Sequence, residues 1–131
     1  MADRIEALPK SAGRDYLQKA ERFFELMKSA AAAGNWEGAA LAAVHTATSS
    51  VDAVTVFYLG QRSRGQKHED AAALLTATGI AGVAEKRRQF LEVLRIKNLV
   101  EYEARTTKRA DAEQAALQAE RLFRWVKDLL R

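Results

Sequence analysis

A chain of 131 residues, 48% hydrophobic and 29% charged, fits one globular domain with enough length for one real core. It has no cysteine, which excludes disulfides, thiolate metal sites and cysteine nucleophiles. Its formal net charge of +4 permits contact with nucleic acid or phosphate without requiring it.

The first twelve residues carry Pro9 and weak periodicity, and read as a flexible or loosely packed lead-in, residues 1–12, ahead of a single domain over 13–131. Apolar residues at Leu17, Ala20, Phe24, Met27 and Ala31 then predict a helix over 14–33, ended by Gly34. Asn35 suits the N-cap of a second, alanine-rich helix over 36–61, with a narrow stripe through Ala40, Ala43, Ala47, Val51, Val54 and Tyr58. A basic loop, 60–65, leads to a short helix over 69–78, and Gly79 and Gly82 break the chain after it. A fourth helix is predicted over 83–102, with Phe90, Leu91 and Leu94 at its apolar centre. The fifth starts near Ala110 and repeats through Ala112, Ala116, Ala119, Phe123, Val126 and Leu130. Nothing reads as a strand. The fold expected is all-α: an antiparallel up-and-down bundle of four long helices plus one short helix. No signal-like segment or membrane-length apolar run is apparent, so a cytoplasmic protein without membrane contact is expected.

His45, Ser49 and Asp52 lie on one face of the second helix. A catalytic triad needs groups converging from different elements beside an oxyanion hole, so a polar groove or solvated face is the better reading. The Gly60 to Gly65 spacing resembles the opening of a P-loop, but no Lys-Ser/Thr follows and no strand precedes it. His45 and His68 show no metal-ligand spacing, so neither a metal nor another cofactor is expected. Basic residues cluster at Arg62, Arg64, Lys67 and His68, at Lys86, Arg87, Arg88, Arg95 and Lys97, and at Arg105, Lys108 and Arg109. Alternate helices of a bundle could gather part of these into a groove for phosphate. The stripe of the fourth helix continues into Asn98, Glu101 and Tyr102. Polar groups on an inward face either bond to nearby backbone or line a cleft, and both readings stand here.

Four segments, in order, carry a resemblance: 16–23 (YLQKAERF), 34–40 (GNWEGAA), Gln66-Lys67-His68-Glu69 with Ala73-Leu74-Leu75, and 94–103 (LRIKNLVEYE). Over residues 14–131 the chain resembles the HEPN family, the higher eukaryote and prokaryote nucleotide-binding domains. The resemblance implies a helical bundle, commonly a homodimer. Many members are ribonucleases with an Arg-x(4–6)-His motif at the end of the fourth segment. Aligned on Asn98, Lys97 stands at the arginine position and Tyr102 at the histidine position. Non-nuclease members often pair with a nucleotidyltransferase or bind nucleotides or RNA.

The function expected is therefore a dimeric binding or accessory module with a basic cleft for a nucleotide, RNA or a partner nucleotidyltransferase. Lys97, Asn98 and Tyr102 would line the cleft, with Arg95, Arg62, Arg64, His68 and His45 contributing charge or a base. The alternatives are a metal-independent, toxin-like ribonuclease with an altered motif, and a bundle that only contacts other proteins.

Overall fold

The computed structural model of the protein describes residues 5–64, 68–102 and 106–131. Strand β1 (Ile5–Ala7) and a single 3-10 turn (Lys10–Ala12) precede helix α1 (Gly13–Ala32). Helix α2 (Trp36–Leu59), strand β2 (Gln61–Ser63), short helix α3 (His68–Ala77), α4 (Val83–Tyr102) and α5 (Arg109–Leu129) follow. The four long helices alternate in direction. Gly13 approaches Phe57 and Phe23 meets His45 along α1 and α2. Phe24 stacks on Phe123, and Glu21 pairs with Lys127, along α1 and α5.

Helix α2 is the axis of the bundle. It packs most extensively against α1, then α5, and also touches α3 and α4. Its buried residues, from Ala39 to Val56, therefore go well beyond the narrow stripe expected from sequence and face several neighbours. A helix that is apolar on nearly all sides belongs in a core, where no side needs to be wet. The same property makes α2 long and apolar enough, by length and composition, to cross a membrane, although 72% of that stretch is buried inside the bundle. Alanines make this central position possible. Ala43 and Ala47 of α2 share the main core with Ala115 and Ala119 of α5, and Ala39 and Ala40 join Ala112 in a second cluster.

Local chemistry sets the ends of α2. The Asn35 side-chain oxygen accepts from the backbone N–H of Gly38 at 3.0 Å, satisfying a donor that the first turn leaves orphaned. At the other end Gly60 adopts φ 68°, the left-handed conformation that stops a helix, and its carbonyl accepts from the N–H of Leu8 at 2.9 Å. The chain then runs directly into β2.

The sequence reading needs three corrections. Two short strands exist: β1 and β2 pair antiparallel, with Glu6 opposite Arg62. Part of the expected lead-in is thus paired to the segment after α2. Such short strands carry little hydrophobic periodicity, and their pairing is nonlocal. Leu91 is 37% exposed, and the buried centre of α4 is instead Gln89, Phe90, Val93, Leu94 and Ile96.

Gly13 marks the closest approach of α1 to α2. A β-carbon there would lie 2.8 Å from Phe57 Cβ and 2.8 Å from the Ala53 carbonyl oxygen, both on or near the α2 backbone. Gly13→Ala is expected to destabilise the protein by about 1–3 kcal/mol, the usual cost of overpacking. Urea denaturation measures it, and unchanged stability would mean that the two helices separate freely at this end.

Candidate functional site

The stripe His45, Thr48, Ser49 and Asp52 on α2 recurs every three or four residues, so it stays on one side of the helix. That side meets Lys19 of α1, β2, α3 and one face of α4 around a cavity of about 290 Å³. Val44, Ala71 and Phe90 form its apolar part. Lys19, Arg62, Arg64 and Lys97 face it with four cationic groups, against the carboxylates of Asp52 and Glu101.

Arg62 is the best-anchored of the cations. Its Nη1 lies 3.1 Å from Glu6 Oε1, across the β1–β2 pair. Its Nε donates to Asp52 Oδ2 at 3.3 Å, and its Nη2 lies 3.3 Å from the same oxygen. The guanidinium also sits over the Tyr16 ring, 5.2 Å from the centroid. One arginine thus ties the N-terminal strand, α1 and α2 to the wall of the cavity. Burial weakens the hold of that charge on its proton, but the neighbouring carboxylates outweigh this and raise its pKa.

Burial dominates at Asp52. It raises the carboxyl from 3.8 to about 6, even beside Arg62 and Lys19, which pull in the opposite direction. Burial also lowers the pKa of His45, helped by Lys19 and Lys97, while Glu101 opposes the shift. The imidazole is thus neutral at pH 7. Its ring stacks on Phe23, with centroids 4.9 Å apart and planes 24° apart. Lys97 donates to Glu101 Oε2 at 2.8 Å and lies 5.7 Å from the centroid of the Tyr102 ring.

Four of the residues singled out from sequence, His45, Arg62, Arg64 and Lys97, line this one cavity. Arg95, Asn98 and Tyr102 do not line it. Arg95 points outward and pairs with Glu92 at 2.7 Å, Asn98 is exposed, and Tyr102 is 76% exposed. The reason is helical geometry. Phe90, Lys97 and Glu101 share one side at steps of seven and four, whereas residues one or two positions from Lys97 turn away. His68 opens α3, but its side chain, like residues Lys67 and Arg105, lies outside the described residues.

Sequence reasoning missed Lys19, Glu6 and Tyr16. Nothing in their local spacing signals the site, because only the packing of α1 and β1 brings them there. The shared face of His45, Ser49 and Asp52 was visible, and it forms a polar groove. Among the described residues no hydrogen bond joins His45 to Ser49 or Asp52, and Asp52 is committed to Arg62. Nor, among them, does any group of three or more His, Asp or Glu residues suit a metal ion. What the cavity offers chemically is a set of cationic donors over an apolar floor, with one neutral imidazole at its edge. That arrangement suits a compact anion such as a phosphate group.

No curated protein and no solved structure matches the chain. The family model described as HEPN domain matches residues 14–129, and the chain belongs to the HEPN domain family.

Proposed function

We propose that this chain is a non-catalytic HEPN binding module whose basic cavity holds the phosphate of a nucleotide or of RNA. The observation that carries the reading is the convergence of Lys19, Arg62, Arg64 and Lys97 from three separate parts of the chain on one cavity. Charges drawn together from α1, the β2 segment and α4 against their mutual repulsion favour an anionic ligand. The family resemblance extends the proposal to a homodimer and to a nucleotidyltransferase as protein partner.

One observation favours ribonuclease activity as a second reading. His45 is neutral at pH 7 and lines the same cavity as Lys97, so a base and a cation share one site without a histidine on α4. Against it stand the absence of an orienting partner for His45 among the described residues and the commitment of Lys97 to Glu101.

Two measurements on the full chain decide between them. Inorganic pyrophosphate should bind, and Lys19→Ala and Lys97→Ala should each weaken it by about 1–2 kcal/mol, or five- to thirtyfold. Bulk RNA incubated with the protein in EDTA should stay intact. Cleavage that disappears in both His45→Ala and Lys97→Ala would replace the binding module with the ribonuclease.

A further inference from the structure

Helices α4 and α5 pack along a seam that carries charge outside the basic cavity. Lys86 of α4 lies in the field of Arg121 of α5, and Arg95, further along α4, lies in the field of Asp111. That antiparallel register sets Lys86 opposite Arg121 and, one turn along, Gln89 opposite Gln118. Each cation is held by the glutamine of its own helix. Lys86 Nζ donates to Gln89 Oε1 at 3.1 Å, and Arg121 Nη1 donates to Gln118 Oε1 at 3.5 Å. Both glutamines are almost fully buried, so the two cations rest on a fixed floor of neutral amides.

Other cations on the helix surfaces are partnered differently. Arg88, Arg95, Arg109 and Arg124 each pair with a carboxylate three or four residues away on the same helix. Among the described residues, neither Lys86 nor Arg121 has a carboxylate within ion-pair distance. Glu85 is the acid whose charge reaches Lys86, but its Oε1 accepts from both Arg88 and Gln89. Burial lowers the pKa of Lys86, Glu85 opposes the shift, and Arg121 adds to it. Two like charges thus face each other over neutral partners, and an anion between them would relieve the repulsion.

The surroundings suit a protein better than a small molecule. Leu117 and Trp125 flank Arg121 at steps of four on the same side of α5. Leu117 is 43% exposed, and the half-buried Trp125 ring has its centroid 5.9 Å from Lys86 Nζ. Arginine and tryptophan side by side are the residue types that anchor protein contacts. Charge complementarity then gives the occupant's chemistry. A carboxylate can take parallel donors from a guanidinium and a further one from an ammonium.

We propose that the α4–α5 seam around Lys86 and Arg121 is a docking surface for an acidic segment of a partner protein, seated through a glutamate or aspartate carboxylate. Fluorescence anisotropy of a fluorescein-labelled hexaglutamate peptide, titrated with the full chain, tests it. Lys86→Gln and Arg121→Gln should each weaken binding roughly fivefold. Lys28→Gln, which removes the same charge from an exposed position on α1, should leave the affinity unchanged. Lys97→Ala, at the basic cavity, should also leave it unchanged. Arg121 is exposed, so its variant keeps the fold. Equal losses in Lys28→Gln and Arg121→Gln would reduce the effect to net charge and overturn the proposal. A loss confined to Lys97→Ala would move the peptide to the basic cavity, with the same consequence. Displacement of the peptide from the Lys97→Ala protein by equimolar inorganic pyrophosphate would give the seam to phosphate and overturn it as well. So would the absence of any binding to the unsubstituted chain.

Discussion

Phe90→Ala is expected to lower the free energy of unfolding by about 3–5 kcal/mol, while Leu91→Ala, one residue along α4, should change it by less than about 1 kcal/mol. Phe90 is fully buried and sits between the core and the floor of the basic cavity. Removing its ring forfeits transfer energy and leaves a void that the surrounding α2 and α4 side chains fill only in part. Against a total stability on the order of 5–15 kcal/mol for a domain, that is a large fraction. Leu91 points the other way and is 37% exposed. Urea denaturation of both variants measures the contrast. Equal losses would mean that α4 is rotated from the orientation described above, and the cavity wall that it supplies would then be wrong as well.

The second large effect is a dependence on pH centred at Asp52. Its carboxyl is raised from 3.8 to about 6 by burial, against the pull of Arg62 and Lys19 and with a small push from Glu6. The folded state therefore holds the proton more tightly than the unfolded chain does. Stability from this group is fully present below 3.8 and is lost as pH rises through about 6. The loss is on the order of 2–3 kcal/mol. Asp52→Asn should flatten the stability profile across that window. The same titration changes the charge of the cavity. Sulfate, which does not itself titrate in this range, should bind more tightly as pH falls through about 6, because the cations then face one carboxylate fewer. In Asp52→Asn that midpoint should vanish. Only the contribution of His45, whose pKa lies below its usual value, should remain at lower pH. A midpoint near 6 that survives the substitution would assign the effect to another group.

Much of the architecture was legible because helix periodicity and helix punctuation are local. The predicted span 83–102 is that of α4, and Asn35 caps α2 as its position before an apolar run suggested. The helical bundle itself followed from the number of such stretches and the shortness of their connections. What periodicity could not give was the rank of the helices. The alanine-rich stripe of α2 looked narrow on paper, yet the helix is enclosed by α1, α3, α4 and α5. The site was half legible for a related reason. His45, Arg62, Arg64 and Lys97 were identifiable as residue types, and Ser49 and Asp52 as neighbours on a face. Their convergence depends on which way α4 is turned, and the sequence placed Asn98 and Tyr102 inward where the structure places them outward. Lys19 and Glu6 carried no signal, because each reaches the site only through a contact made far away in sequence.

The pairing of β1 with β2 has a consequence for how this protein should be handled as a family member. The family region begins at residue 14, whereas Glu6, which holds Arg62 in place, precedes it. A fragment trimmed to the homologous boundary would keep every long helix and could pass as a folded bundle by circular dichroism. It would nevertheless release one of the two carboxylates that orient Arg62, together with the backbone bond from Leu8 to Gly60. Ligand affinity measured on such a fragment would then describe a different pocket from the one in the intact chain.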